Sequence, residues 1–262
     1  MKHLIISGYN SFIGNNFYNR YKKKYKITYY KDDINKISKI KLLTKKHKFD
    51  FFLHFASLSR TKCDANQNQC KKTNFLAINK IINHFNTLKY KPNFIFMSSS
   101  HVYANSSNKI KEGCKKKPMS LYAKLKLDSE NYIKKNYENY TILRLFNVYG
   151  PNQPLGYFLS DMSKKIKKKQ IITIDKSIRD FVHVNTVSRI INFIVSKKII
   201  GTINVGSGNG QSLKSIIKKI GLKHKIEPLV KVLPEKTKLV ADLKFLEFNG
   251  FKFKKNEKNF NI

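Results

Sequence analysis

Tyr122 and Lys126 stand four residues apart in a stretch of helical period, so both project from one helical face. An ammonium close to a phenol favours the phenolate and lowers its pKa, which makes such a tyrosine a usable proton donor and acceptor near neutral pH. Upstream, the apolar run Phe94-Ile95-Phe96-Met97 delivers Ser98-Ser99-Ser100-His101, and a serine hydroxyl there can hydrogen-bond a carbonyl oxygen and polarise it. Near the start, Leu4-Ile5-Ile6-Ser7 runs into Gly8-Tyr9-Asn10-Ser11-Phe12-Ile13-Gly14 and then a helical pattern. A strand, a tight glycine turn and a helix N-terminus present backbone N–H groups to a pyrophosphate. Ser11 occupies the middle position of G-x-x-G-x-x-G and is small enough to leave that site open.

An acidic residue about 20 positions beyond such glycines ordinarily reads the adenosine ribose of a dinucleotide. Asp32 stands at that distance, with Lys31 beside it. A lysine at a strand end can accept a 2′-phosphate, so NAD and NADP both stay open, the lysine leaning towards NADPH; a solvated turn accounts for the same residues. His101 either moves protons or packs. His54 reads as a packed histidine at a strand end. The cysteines Cys63, Cys70 and Cys114 are odd in number and without CxxC spacing, which argues against a disulfide framework and against a zinc site, and no metal is expected.

The elements that must position these residues follow from periodicity. Strands are expected over 3–7, 26–30, 50–56, 93–98, 141–146 and 202–205, and helices over 12–24, 34–46, 71–89, 120–135 and 185–196. That alternation predicts an α/β chain with a Rossmann-type, doubly wound parallel sheet. Past Gly150 the alternation fails, and Pro151, Pro154 and Gly156 mark loops. The expected division is a dinucleotide-binding domain of 1–150 plus 179–205 and a small C-terminal substrate-binding lobe of 151–178 plus 206–262.

A formal net charge of +37, from 53 Lys+Arg against 16 Asp+Glu, would attract polyanions. The excess is almost all lysine, spread over every segment with abundant Asn, Ile, Tyr and Phe, and no aromatic and arginine patch organises it. Compositional drift accounts for that pattern, and no nucleic-acid partner is expected. No apolar run is long enough for a membrane span, and the regions of a signal peptide are missing, so a cytoplasmic protein with no membrane partner is expected.

Taken together, the chain resembles the extended short-chain dehydrogenase/reductases that act on nucleotide sugars, the NAD-dependent epimerase/dehydratase group. The resemblance runs from Ser7-Gly8 to Gly14, through His54-Phe55-Ala56-Ser57 and Asn74, then Ser99, Tyr122 and Lys126. It continues in Arg144-Leu145-Phe146-Asn147-Val148-Tyr149-Gly150-Pro151, Arg179-Asp180-Phe181-Val182-His183-Val184 and Asn204-Val205-Gly206-Ser207-Gly208. It implies that Ser99 is the catalytic hydroxyl, Tyr122 the acid/base and Lys126 the residue holding the nicotinamide ribose. It further implies that Gly8, Ser11, Phe12, Ile13, Gly14, Lys31, Asp32, Asp33, Phe55, Ala56, Ser57 and Asn74 line the cofactor. Ser99, Ser100, Asn147 and Arg179 would meet the substrate, Arg179 as a cation on its diphosphate. A homodimer is implied as well.

Two departures bear on the reaction. The chain passes straight from Tyr30 to Asp33-Ile34 where most members insert another helix and strand, which resembles the shorter reductases. The Asp-Glu pair that dehydratases carry after this serine is Ser100-His101 here, which argues against dehydration. Reduction of a nucleoside-diphosphate 4-keto-6-deoxyhexose is therefore expected, in deoxysugar and polysaccharide (O-antigen) synthesis. A UDP-glucose 4-epimerase-like activity is the alternative, and a non-catalytic dinucleotide sensor the third reading.

Overall fold

A computed structural model describes residues 1–260. The chain runs β1 (His3–Ser7), α1 (Phe12–Tyr21), β2 (Lys26–Tyr30), α2 (Ile37–Lys46), β3 (Phe51–His54), α3 (Arg60–Ala65) and α4 (Gln67–Lys71). One π-helical turn, Lys72–Leu76, leads into α5 (Ala77–Asn86), followed by β4 (Asn93–Ser99), a 3-10 turn at Ser100–Val102, α6 (Leu121–Asn136) and β5 (Tyr140–Leu145). Then come β6 (Asn147–Tyr149), α7 (Phe158–Lys167), β7 (Ile172–Ile174), β8 (Ile178–His183), α8 (Val184–Lys197) and β9 (Gly201–Val205). The last elements are β10 (Gly210–Ser212), α9 (Leu213–His224), β11 (Val230–Val232), β12 (Lys238–Leu239) and α10 (Lys244–Phe248).

Six strands form one parallel Rossmann-like sheet in the order β2-β1-β3-β4-β5-β9. β1, β3 and β4 are buried along their whole length, as strands covered on both faces must be. On one face Ile5, Phe52, Phe94 and Phe96 pack against Ile78, Ile81, Ile82 and Phe85 of α5 and Ile133 of α6. The α5 set repeats at helical period, the apolar stripe that a sheet-covering helix needs, and each fully buried side chain of this size stabilises by about 1.5–3 kcal/mol. β2 stands at the sheet edge, and the chain crosses from it through α2 to β3 on the other side of β1, so the short crossover read from the sequence is what the sheet contains.

Two compact units are present. The first comprises Met1–Val102, Pro118–Arg144 and Ser188–Ile203; the second comprises Tyr103–Lys117, Leu145–Val187 and the chain from Asn204 onward. Segments 103–117, 145–150, 179–187 and 204–205, expected with the dinucleotide-binding domain, thus group with the second unit. β8 explains it, because this strand pairs with β6, β10 and β12. From β8 the buried Asp180 carboxylate accepts hydrogen bonds from Ser207 N, Ser207 Oγ, Gly208 N and Ala241 N.

Local expectations shift for physical reasons. β3 ends at His54 and not at residue 56, since the chain turns away after Phe55 N bonds Ser7 O. The helix expected from residue 34 starts at Ile37, because the Asp33 carboxylate accepts from Asn35 N and Nδ2 and closes a turn. The helix expected over 71–89 is divided by the π turn. Cys63 and Cys70 form a disulfide, against the expectation drawn from cysteine count and spacing. The break between α3 and α4 at Asn66, which caps α4 by accepting from Gln69 N, folds the chain back and sets the two Cα atoms 4.9 Å apart.

Candidate active site

The loops after β1, β3 and β4 all leave the C-terminal edge of the parallel sheet, where open α/β sheets bind ligands. Gly8 has φ +69°, and a Cβ there would lie 2.5 Å from Ala56 N, so only glycine lets the two loops approach. A Cβ on Gly14 would lie 2.6 Å from Gly8 O. Ser11, the departure from the glycine pattern, is the N-cap of α1, its Oγ accepting from Gly14 N at 3.1 Å. The hydroxyl stabilises the helix end that a third glycine would leave uncapped. Phe12 and Ile13 form the half-buried first turn of α1.

Beyond β2, Lys31 is exposed and the Asp32 carboxylate pairs with Lys39 of α2. Asp33 is held by Asn35, and those hydrogen bonds keep its carboxyl below the usual range. Phe55 is buried, Ala56 half-buried and Ser57 exposed. Asn74, in the π turn, reaches this loop from behind: its Oδ1 accepts from Leu58 N at 2.8 Å and Ser57 Oγ at 3.2 Å, while Nδ2 donates to Leu58 O at 3.0 Å. It acts as a clamp on the loop.

Tyr122 and Lys126 share a face of α6, with Lys126 Nζ 5.7 Å from the Tyr122 ring centroid. Ser120 caps that helix, its Oγ accepting from Ala123 N. Lys126 Nζ donates to Met97 O on β4 at 2.7 Å, which ties α6 to the strand carrying the serines. The three serines are not equivalent. Ser98 Oγ donates to Glu130 Oε1 at 2.5 Å, and Ser100 is buried in the 3-10 turn. Ser99 Oγ accepts from His101 N at 3.2 Å, a geometry that leaves its own O–H to donate elsewhere. His101 is half-buried in the same turn.

Lys126 is only 2% exposed, and burial takes its pKa from the ordinary 10.5 to about 7, with Glu130 opposing. His54 is stacked among Phe52, Phe94 and Phe96, and its Nδ1 meets Ser7 Oγ at 2.9 Å. Burial, with Lys126 adding to it, takes His54 down to about 3, so it is a neutral wall. Since the unfolded chain keeps the lysine proton up to about pH 10.5, the fold bears the full cost of a buried ammonium below about pH 7. That cost shrinks as pH rises from 7 towards 10.5. Lys126→Met, which keeps the stem and removes the charge, is therefore expected to stabilise the protein at pH 7 by on the order of 2 kcal/mol after the lost hydrogen bond is counted. The gain should fade by pH 10. Thermal melts across that range check it, and a variant melting below wild type at pH 7 overturns it.

Sequence reasoning missed the Glu130–Arg144 pair. Glu130 is fully buried four residues after Lys126, and Arg144 Nη2 donates to its Oε2 at 2.6 Å with Nε at 3.0 and 3.1 Å from the two oxygens. A glutamate continuing the Tyr122 and Lys126 face was the available signal.

Of the expected substrate residues, Ser99 and Ser100 belong to the first unit, and Asn147 and Arg179 to the second. Register sets Asn147 of β6 opposite Phe181 of β8, two positions from Arg179, and Asn147 Nδ2 donates to Asp180 O. The Arg179 guanidinium is engaged with Ile178 O, Thr237 O and Thr237 Oγ1. In the same unit a cavity of about 420 Å³ is lined by Tyr149, Gly150, Asn152, Gln153, His183 and Lys223 among others, a place that spacing alone did not reveal.

A parallel α/β sheet with a glycine turn after its first strand and a tyrosine–lysine pair beneath its fourth defines a Rossmann-type fold. Residues 4–206 match the NAD dependent epimerase/dehydratase family, and the chain belongs to that family. It is 26% identical over 227 residues to GDP-6-deoxy-D-talose 4-dehydrogenase of Aggregatibacter actinomycetemcomitans, covering 81% of this chain and 77% of that protein. Over 136 residues it is 28% identical to the uncharacterized UDP-glucose epimerase YtcB of Bacillus subtilis strain 168, covering 48% of this chain; the match spans only 43% of that relative's length. The crystal structure of the Thermus thermophilus UDP-glucose 4-epimerase complexed with NAD has the same fold, with a TM-score of 0.82 at 16% identity over 95% of this chain and 93% of the other. Among the described residues, no helix is long and apolar enough to cross a membrane.

Proposed function

We propose that this protein reduces a nucleoside-diphosphate 4-keto-6-deoxyhexose with a nicotinamide dinucleotide, as a cytoplasmic homodimer. The observation that carries the reading is the buried Lys126, fixed to β4 through Met97 O and set against Tyr122 at the sheet edge where the glycine turn also lies. The close approach of Gly8 to Ala56 and the capped N-terminus of α1 fit a bound pyrophosphate. Gly8, Ser11, Phe12, Ile13, Gly14, Phe55, Ala56 and Ser57 would hold the dinucleotide, with Asn74 bracing the last of them. NADPH is favoured over NADH because Lys31 is exposed at the end of β2 while Asp32 is paired with Lys39. A nicotinamide held there supplies hydride chemistry at the sugar carbon.

The chain's own residues do the rest. Ser99 donates its O–H to the C4 oxygen and polarises it. Tyr122 gives that oxygen its proton, and Lys126 keeps the phenol acidic enough to do so. Arg179 meets the diphosphate and Asn147 the sugar. His101 would serve as a second proton carrier. Support for the direction comes from the short crossover after β2 and from the match across most of the chain to a relative named for oxidoreduction at C4 of a 6-deoxyhexose.

The second reading is 4-epimerisation, favoured by the shared fold of an epimerase that binds NAD. The two separate by cofactor balance. Purified protein given the keto sugar and NADPH should consume about one reduced nicotinamide per sugar, followed by absorbance. Interconversion of UDP-glucose and UDP-galactose without net absorbance change, with the keto sugar ignored, would replace reduction with epimerisation.

A further inference from the structure

The mechanism above does not use the disulfide between α3 and α4, yet that disulfide is built into the back of the site. Cys63 and Cys70 are fully buried with Leu125, and Leu58, Phe75, Leu121 and Tyr122 pack around them. Asn74 Nδ2 lies 3.5 Å from both sulfurs, and the same side chain clamps Leu58 N, Leu58 O and Ser57 Oγ. One buried amide thus joins the sulfurs to the backbone that follows β3. The cover over the bond is thin: the six residues from Asp64 to Gln69 are all exposed, and exposed Arg60, Lys62, Lys71 and Lys72 flank it.

We propose that Cys63–Cys70 is a redox-modification site, opened by a dithiol reductant, whose opening releases the Ser57–Leu58 clamp and weakens dinucleotide binding. A thiolate of the reductant attacks one Sγ, the S–S bond breaks, and the other sulfur leaves as a thiolate that takes up a proton. The reductant's second thiol then attacks the mixed disulfide and releases the first cysteine. Two electrons and two protons pass to the protein, and the reductant leaves as its own disulfide. The flanking cations favour the leaving thiolate and attract an anionic attacker. Bonded sulfurs sit about 2 Å apart and unbonded thiols about 3.5–4 Å, so reduction demands roughly 1.5 Å of extra room. A close-packed cluster against Leu125 and Tyr122 does not offer it, and the α3–α4 turn has to move away from Asn74.

The consequence for binding rests on the dinucleotide reading above; the consequence for the clamp does not. The test takes the full chain, oxidised and after dithiothreitol, with alkylation and mass spectrometry to report the state of each cysteine. Hydrogen exchange at the Leu58 amide reads the clamp, and fluorescence titration with NADPH and NADH reads binding. Reduction should expose Cys63 and Cys70 to alkylation, speed Leu58 exchange and raise the dinucleotide dissociation constant by about tenfold, a usual size for coupling between two sites. Cys63→Ser/Cys70→Ser should match the reduced protein and ignore dithiothreitol, while Cys114→Ser should still respond. A disulfide that resists dithiothreitol, or Leu58 exchange that is the same in both states, overturns the proposal. If neither state binds a dinucleotide, the dinucleotide reading fails, and Leu58 exchange still decides the clamp.

Discussion

Tyr122→Phe is expected to keep the fold and the dinucleotide affinity while turnover falls by about two orders of magnitude or more, the usual size of a lost general acid/base. Only the hydroxyl is removed, and the ring stays in the cluster with Leu125 and Leu121 that packs it. The melting temperature should therefore stay close to that of wild type. Removing the neighbouring charge by Lys126→Met should give a comparable kinetic loss with a stability gain, which distinguishes a proton-transfer residue from its electrostatic support. Steady-state kinetics with the keto sugar and NADPH measure the effect. Activity of Tyr122→Phe within threefold of wild type would remove Tyr122 from the mechanism.

Glu130→Ala is expected to destabilise the protein by about 3–5 kcal/mol, because it leaves the Arg144 cation buried without its carboxylate. Arg144 is 1% exposed and Glu130 fully buried, so water cannot replace the lost partner. Ser98 loses its acceptor at the same time. At about 2–4 °C per kcal/mol for a protein of this size, the melting temperature should fall by roughly 10 °C. Glu130 also supports the charge on Lys126, so the folded fraction of the variant should need a lower pH for full activity. A scanning calorimetry trace within 3 °C of wild type would show that the pair contributes little.

These two residues differ in how far they could be read from the chain alone. The tyrosine and lysine announce themselves by a four-residue spacing, since the helix repeat places them on one face whatever surrounds them. The glycine turn was likewise legible, because positive φ at Gly8 is a local demand of the backbone. The order of strands and helices followed from periodicity, the short crossover from the resemblance to a family that mostly inserts a helix and strand there, and the place of β2 at the sheet edge from the fold. Partner choice over distance was not legible. Glu130 and Arg144 lie on different elements, and nothing in either local pattern says that they meet. Three adjacent serines look alike in sequence, and only the burial of Glu130 beneath β4 takes Ser98 out of consideration.

By itself, then, the sequence determined the α/β class, the glycine turn after β1 and the placing of Tyr122 and Lys126 on one helical face, all of which depend on contacts within one element or between neighbours in the chain. Tertiary structure alone decided that β8 belongs to the second unit, that Asn74 serves as a clamp on the Leu58 backbone, and that Cys63 and Cys70 are joined. Each of these depends on how a buried polar group or sulfur finds its partner once the sheet and helices have packed. Burial makes an unmet hydrogen-bonding group costly, so the packed fold selects the pairings.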